Sequence, residues 1–214
     1  MGTRTLAILI ALLALALLPG SRPAAAMPVA QTAGPGLPIT APVALDPATT
    51  AVLVLDMSTR CNDPQQVCRD IAPAIAGLLD KARQRGVLIA YTVSAAARGT
   101  PMGDVWQGFN PRADEPVLYP DGFDKFVGGE LQDSLTSRGI RTLVITGSAT
   151  NVAVLYTATA AARQYGYDVV IPIDGVNTDN AYQQEYALYQ LGVLPGMASR
   201  FTFTTLDGVT FTGS

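Results

Sequence analysis

The chain has 214 residues, a length that fits one domain with a processed end. Apolar residues make up 49% and charged residues 14%, which allows a sizeable core and argues against a disordered chain. A net charge of -3 argues against a nucleic-acid or anionic-membrane partner, because such partners attract Lys and Arg. The sequence has no histidine, which excludes Ser-His-Asp and Cys-His catalysis, histidine-ligated zinc and a histidine base.

The first 26 residues have the pattern of a secretory signal peptide. Arg4 precedes an apolar run from Leu6 to Leu18, and the segment ends in three alanines before Met27. The run of about 13 residues is shorter than the roughly 20 that span a membrane, although an uncleaved anchor is the alternative. Cleavage after residue 26 predicts a periplasmic or secreted protein without a membrane contact. Loss of Arg4 and Arg22 would leave 12 basic against 17 acidic residues.

The remainder divides into a leader and one domain. Residues 27–46 are rich in Pro, Gly, Ala and Thr, which predicts a flexible leader before a domain over residues 47–214. In this domain, runs typical of strands and helices alternate. Strands are predicted at 51–55, 87–93, 141–146, 168–173 and 201–205, and helices at 71–82, 131–137, 151–165 and 181–191. The alternation predicts a three-layer α/β fold with a mostly parallel, Rossmann-like doubly wound sheet.

A terminal hairpin is predicted at the end of the alternating strand and helix patterns. Asp207 and Gly208 stand between the predicted strand at 201–205 and the apolar residues 209–211. An Asp-Gly pair between two such runs is typical of a two-residue hairpin turn.

Cys61 and Cys68 are the only cysteines, and they lie seven positions apart. In an oxidising compartment this pair predicts a local disulfide. Metal binding is a weaker interpretation, because two thiols without histidine rarely complete a tetrahedral site. A reduced, reactive Cys61 is the third interpretation.

Polar residues follow three of the predicted strands. They are Asp56, the turn at residues 147–151, and Asp174. In a parallel α/β sheet the ligand crevice lies at the carboxyl ends of the strands, so these positions are site candidates. Turn formation and helix capping are the alternative explanations for each of them.

Four blocks of sequence resemble those of the isochorismatase-like hydrolases, also called cysteine hydrolases. Residues 143–158 resemble the family's signature turn and small-residue helix, and residues 166–175 the following strand. Residues 51–57 resemble the opening strand that ends in the catalytic aspartate, and residues 124–131 the element before the fourth strand. The blocks keep the family's order over about residues 48–206, so the resemblance implies the same fold and hydrolase chemistry.

Two positions differ from the catalytic set that the resemblance implies. The family aspartate corresponds to Asp56, but the nucleophilic cysteine corresponds to Ala153 and the family lysine to Pro120. Lys125 lies nearby and is a candidate partner of Asp56, although a solvated surface lysine is the favoured interpretation. Because Ala153 has no nucleophilic atom, covalent thioester chemistry is excluded there.

The backbone of the signature turn retains a possible role. The resemblance implies that the N–H groups of Ala149 and Ala153 form an oxyanion hole. It also implies a cis peptide bond between Ser148 and Ala149.

Several other residues have competing interpretations. Trp106, in the loop at 99–112, either lines the pocket mouth or covers the core. Asn151 either contacts substrate or caps the following helix, and capping is favoured. Asp174 is expected to anchor the next loop. Three tyrosines form a helical stripe that is expected to pack in the core or against another subunit: Tyr182, Tyr186 and Tyr189.

Three functions remain open. The first is an exported hydrolase of a small molecule in which Asp56 is the general acid or base, as the resemblance to cysteine-free phenazine-pathway isochorismatases implies. The second is a catalytically retired member that binds a small molecule or a partner. The third is an amidase with Cys61 as a relocated nucleophile. No cofactor and no metal are predicted, and a homo-oligomer is a weak expectation from the family.

Overall fold

The computed structural model describes residues 36–213. The predicted signal peptide and the first part of the predicted leader lie outside these residues. Within 36–213 the structure has nine strands and four α-helices. The strands are β1 (Val43–Leu45), β2 (Thr50–Leu55), β3 (Leu88–Thr92), β4 (Val117–Leu118), β5 (Thr142–Ser148), β6 (Asp168–Pro172), β7 (Val176–Asn177), β8 (Phe201–Thr204) and β9 (Val209–Phe211). The helices are α1 (Cys68–Gln84), α2 (Glu130–Thr136), α3 (Leu155–Arg163) and α4 (Ala181–Val193).

Seven strands form one parallel sheet. Its main order is β4-β3-β2-β5-β6-β8, and β7 pairs with the end of β5. All six residues of β2 are buried, which explains its continuous apolar sequence, since both faces of a parallel sheet are covered.

Successive residues of β2 point into two different cores. Leu53 and Leu55 pack with residues of α2, α3 and α4, whereas Val52 and Val54 pack with residues of α1. The period-2 alternation of a strand places these side chains on opposite faces of the sheet. The predicted three-layer α/β fold is therefore confirmed.

The predicted terminal hairpin is wrong. Strand β8 pairs with β6 in the large sheet, whereas β9 pairs in parallel with β1 in a separate two-stranded sheet. The turn at Asp207 and Gly208 therefore joins two sheets, because Val209 and Phe211 bury against the core beside α1. The strand at Val43–Leu45 also lies inside the predicted leader, so regular structure begins before residue 46.

A buried polar cluster ties a loop to the sheet and to α1. The guanidinium of Arg83 donates to both carboxylate oxygens of Glu115, at 2.7 and 2.9 Å, and to the Phe109 carbonyl oxygen at 2.8 Å. The Tyr91 hydroxyl lies 3.1 Å from Glu115 Oε2. The Arg83 and Glu115 side chains are only 9% and 6% exposed. Each polar group in this buried cluster therefore has a partner.

Gly147 allows β5 to approach β2 at the end of the sheet. Its φ is 121°, and a Cβ at this position would lie 2.1 Å from the Leu55 carbonyl oxygen. Only glycine avoids this clash. The turn that follows β5 is thereby brought next to the residue that follows β2.

Across residues 36–213, none of the helices has the length and apolar character needed to cross a bilayer.

Candidate active site

Asp56 lies at the carboxyl end of the central strand β2. Leu55, the residue before it, is paired with Thr92 of β3 and with Gly147 of β5. The Asp56 N–H donates to the Thr92 carbonyl oxygen at 2.8 Å, and the Asp56 φ is 53°. A positive φ is uncommon for a residue with a side chain, and such residues concentrate at functional sites.

Lys125 is buried and forms an ion pair with Asp56. Its Nζ lies 2.8 Å from Asp56 Oδ2, and the two side chains are 2% and 19% exposed. Lys125 Nζ also donates to the Gly122 carbonyl oxygen at 3.1 Å. The surface interpretation of Lys125 is therefore wrong, because the loop after Pro120 turns the side chain inward to the carboxylate.

Thr157 fixes the backbone that carries Lys125. Its Oγ1 accepts a hydrogen bond from the Lys125 N–H at 3.1 Å and donates to the Phe123 carbonyl oxygen at 3.3 Å. Phe126, the next residue, is buried in the core. Sequence reasoning missed Thr157, which reads only as one small residue in a small-residue helix.

The turn after β5 has the backbone geometry that the resemblance implied. The peptide bond between Ser148 and Ala149 is cis. The next residues, Thr150–Val154, form a π-helical turn that continues into α3. The Ala149 carbonyl oxygen accepts from the N–H groups of Val152 and Val154, at 3.1 and 3.2 Å. Ala153 is buried in this turn.

A cavity of about 230 Å³ opens beside Asp56. It is lined by Asp56, Ser58, Arg60, Val93, Ser94, Ala97 and Met102. Lys125 holds one carboxylate oxygen of Asp56, whereas the other, Oδ1, is buried and has no hydrogen-bond partner among residues 36–213. An unpaired carboxylate oxygen is costly to bury, so a partner outside the described protein atoms is expected at Oδ1.

The predicted disulfide joins Cys61 and Cys68, with an S–S distance of 2.09 Å. It links the 3-10 helix at Thr59–Asn62, which follows Asp56, to the first residue of α1. Both cysteines of the chain are used in this bond, so Cys61 carries no free thiol and the relocated-nucleophile hypothesis is wrong for this form of the protein.

Replacing both cysteines with serine is expected to lower the free energy of unfolding by about 2–3 kcal/mol, because the disulfide closes a ring of about eight residues in the unfolded chain. Denaturant titration of the wild type and the double variant, with and without reductant, measures this loss. Reductant should weaken the wild type only. Equal stability of the oxidised wild type and the variant would contradict the prediction.

Trp106 contributes to packing in this structure. Its Nε1–H donates to Asn62 Oδ1 at 2.9 Å, and its ring meets that of Phe109 edge-on at 5.0 Å. Trp106 does not line the cavity beside Asp56. It covers the core under the loop, which is one of its two expected roles.

The structure also separates the other competing interpretations. Asn151 Oδ1 accepts from Thr178 Oγ1 at 2.7 Å, and its side chain caps no helix, so the capping prediction is wrong. Asp174 Oδ1 accepts from the Leu206 N–H at 2.7 Å, as expected for a loop anchor. The expectation that the tyrosine stripe packs in the core is wrong. Its members are 59%, 46% and 46% exposed: Tyr182, Tyr186 and Tyr189.

Within the described residues, no group of three or more Asp, Glu or Cys side chains has the arrangement of a metal site. The candidate site presents a carboxylate, an ammonium group, a guanidinium group and backbone N–H groups.

The fold and this site define a class of α/β protein with a carboxylate–lysine pair at the carboxyl ends of a parallel sheet. The isochorismatase domain family matches residues 50–198. The chain therefore belongs to the isochorismatase family, which supports its interpretation as a hydrolase.

Individual relatives agree with this assignment. A secreted isochorismatase effector, Isc1 from Verticillium dahliae, is 28% identical over 111 residues, which cover 49% of this chain. The match spans 58% of that relative's length.

Two solved structures show the same fold. A cysteine hydrolase from Pseudomonas syringae superposes with a TM-score of 0.68 at 19% identity, covering 79% of this chain and 94% of that one. The nicotinamidase from Staphylococcus aureus has a TM-score of 0.64 at 21% identity, covering 73% and 98%.

Proposed function

We propose that this protein is an exported hydrolase of a small molecule that works without a covalent intermediate. Asp56 is its general acid and base, and Lys125 is the charge partner that fixes the carboxylate. The observation that carries the proposal is that the two carboxylate oxygens of Asp56 have different environments. One oxygen is held by Lys125 at 2.8 Å, and the other has no partner among residues 36–213, in a residue that lines the cavity.

The side chains near the turn favour attack by water. Ala153 has no nucleophilic atom, and Cys61 is held in the disulfide. In vinyl-ether hydrolysis, Asp56 first takes up a proton from the solvent, transfers it to the substrate carbon and becomes again the carboxylate paired with Lys125. Water then adds to the oxygen-stabilised cation, and its released proton returns to Asp56. The adduct collapses into a carbonyl compound and an alcohol, so atoms and charge balance.

The backbone donor at Ala149 supports the same chemistry. Ala149 lies in the turn after β5, beside the end of β2 that carries Asp56. A backbone N–H donor in this position suits an oxygen on which negative charge develops when the adduct collapses.

Export is part of the proposal. The pattern of residues 1–26, the disulfide and the secreted relative support it. Mass spectrometry of the exported protein tests it, and retention of residues 1–26 would contradict the cleavage.

A screen of vinyl ethers, amides and imides on the purified protein tests the hydrolase. Turnover is expected for the wild type and is expected to disappear in Asp56→Asn, which keeps the shape of the side chain but cannot exchange the proton. Asp133→Asn, an exposed aspartate on α2, is the matched control and should retain turnover. Turnover that survives in Asp56→Asn would contradict the assigned role.

Ala153 favours a second candidate function. A family member without the nucleophile can keep the pocket for binding alone. Ligand binding without turnover by the wild type in the same screen would support this retired form and exclude the hydrolase for the substrates tested.

A further inference from the structure

We propose that Arg60 is a positioning residue whose guanidinium fixes the Asp56 end of β2 against the turn after β5, and that the Cys61–Cys68 disulfide holds Arg60 in this place. Its effect on catalysis rests on the proposed function, because it concerns the same site. The inference assigns a role to a residue that the sequence patterns did not single out.

The pairing of β2 with β5 ends just before the candidate site. Its last paired residues are Leu55 of β2 and Gly147 of β5. The next residue, Asp56, has a φ of 53° and leaves the extended conformation of the strand. Its carbonyl group therefore lies beyond the paired part of β2. The spacing between Asp56 and the turn after β5 needs a connection other than the strand pairing.

Arg60 supplies this connection. It lies in the 3-10 helix Thr59–Asn62, four residues after Asp56. Its Nη2 donates to the Asp56 carbonyl oxygen at 3.2 Å and, over a longer distance of 3.5 Å, to the carbonyl oxygen of Ser148, the last residue of β5. One guanidinium nitrogen joins the ends of two neighbouring strands. Hydrogen bonds from a charged donor are stronger than neutral ones.

The Arg60 guanidinium has no other partner in the part of the chain that the structure describes. It forms no ion pair and no further side-chain hydrogen bond within residues 36–213. Arg83, in contrast, pairs with the carboxylates of Glu115 and Asp80. The polar contacts of Arg60 are therefore confined to the backbone at the candidate site.

The backbone of Arg60 is held on both sides. The Thr59 N–H donates to the Asp104 carbonyl oxygen at 2.9 Å. On the other side, Cys61 is bonded to Cys68, the first residue of α1, and both cysteines are buried. The Arg60 side chain is therefore oriented before a substrate enters. Removing the disulfide would leave only the support at Thr59.

The spacing that Arg60 fixes matters for the proposed reaction. The Asp56 carboxylate and the backbone N–H groups of the turn after β5 act on the same substrate. A displacement of about 1 Å at a catalytic group lowers a rate by about 100-fold. Because its contacts are to backbone carbonyl oxygens, Arg60 acts through Asp56 and the turn.

Two other roles for Arg60 make different predictions. If Arg60 only stabilises the fold, its loss lowers the free energy of unfolding but leaves kcat unchanged in protein that remains folded. If Arg60, which lines the cavity, only binds substrate, its loss raises KM. A fall in kcat separates the positioning role from both.

Kinetics on the best substrate of the screen test the positioning role. Arg60→Met is expected to lower kcat roughly 100-fold, with a much smaller change in KM. Arg60→Lys should retain much of the activity, because its ammonium group donates hydrogen bonds to carbonyl oxygens. Arg69→Met replaces an exposed arginine on α1 and is the matched control, which should behave like the wild type. An unchanged kcat in Arg60→Met, or a loss confined to KM, would overturn the proposal.

A double-mutant cycle tests the part of the disulfide. The Cys61→Ser/Cys68→Ser variant is expected to lower kcat in the same direction as Arg60→Met, but less. If the disulfide acts through Arg60, adding the two serines to Arg60→Met should cause no further fall in kcat. Additive losses would contradict this role of the disulfide.

Hydrogen exchange measured by mass spectrometry tests the contacts without a substrate. In Arg60→Met, exchange is expected to rise about tenfold or more in peptides covering residues 56–62 and 149–154. The N–H groups of Val152 and Val154, both bonded to the Ala149 carbonyl oxygen, are the reporters in the second segment. Residues 78–84 of α1 should exchange as in the wild type. No change in either segment, or a rise throughout the domain, would overturn the proposal.

Thermal unfolding of each variant accompanies these measurements. Should Arg60→Met fail to fold, Arg60→Gln, with a shorter and neutral side chain, takes its place with the same expected results. If the proposed hydrolase is wrong, no variant shows turnover, but exchange in the two segments still rises when Arg60 is replaced. If the positioning role is wrong, the wild type turns over a substrate and Arg60→Met does so with the same kcat.

Discussion

Lys125→Met is expected to lower the free energy of unfolding by about 3–5 kcal/mol, since it removes one partner of a buried ion pair. Asp56 would keep a carboxylate at the end of β2 with neither oxygen paired to protein, because Oδ1 already has no partner among residues 36–213. Methionine retains most of the volume of the lysine stem, so the loss reports mainly on the charge. Denaturant-induced unfolding at neutral pH measures it.

Turnover is expected to fall about 100-fold or more in the same variant, because the carboxylate loses the cation that stabilises it after proton transfer. Kinetics on the best substrate of the screen measure this effect. The fall should appear in kcat, since Lys125 does not line the cavity described beside Asp56.

The chain provides a matched control for Lys125. It has one other lysine, Lys81, which pairs with Asp207 at 3.3 Å. In that pair the side chains are 44% and 102% exposed, so Lys81→Met should cost no more than about 1 kcal/mol. Combining Lys125→Met with Asp56→Asn should recover part of the stability. Similar losses for the two lysines, or no recovery in the double variant, would contradict the buried-pair interpretation.

Glu115→Gln is the second substitution for which we expect a loss of about 3–5 kcal/mol, because it leaves the buried Arg83 cation without its carboxylate. Glu115 Oε1 and Oε2 both accept from Arg83, and Oε2 also accepts from the Arg112 N–H at 3.0 Å. Asp80→Asn is the control, since Asp80 is 71% exposed and meets the same guanidinium at 3.5 Å. The control should lose no more than about 1 kcal/mol.

The Glu115 contribution is expected to depend on pH. Burial alone would raise the pKa of Glu115, but the hydrogen bonds from Arg83 and the Arg112 N–H outweigh it and hold that pKa below its ordinary value of 4.5. The stabilisation is therefore complete above pH 4.5 and is lost as pH falls through the lower folded-state value. The stability difference between wild type and Glu115→Gln should narrow in that acidic range. A difference that stays constant down to the acid transition would contradict this mechanism.

The parallel sheet could be predicted because its signal is local. The run at 51–55 is apolar at every position, and the helix at 71–82 repeats at helical spacing before Gly86. The observed elements, Thr50–Leu55 and Cys68–Gln84, differ from these mainly at their ends. The prediction of a terminal hairpin was wrong because the pairing of the last strand is not decided locally. Whether Val209–Phe211 pairs with β8 or β1 depends on which apolar surface is left uncovered, and that is a property of the assembled core.

The candidate site was predictable only in part. The position of Asp56 follows from the strand that ends before it. The direction of the Lys125 side chain depends on a loop whose path is set by Thr157 and by the burial of Phe126. The distance of Lys125 from the family lysine position in the sequence therefore wrongly favoured a surface role. Arg60 gave no signal, because a single arginine after a strand is ordinary until its neighbours in space are known.

The pairing of β1 with β9 affects how the fold is completed during synthesis. The hydrogen bond from Thr210 Oγ1 to the Val43 carbonyl oxygen joins positions 167 residues apart, at 2.9 Å. No ribosome-bound chain that still lacks residues 209–211 can make this contact, so the first described strand remains unpaired until translation has passed them. The closure entropy of so long a loop makes this a slow contact to form. A nascent chain therefore stays incompletely closed until residues 209–211 have been synthesised.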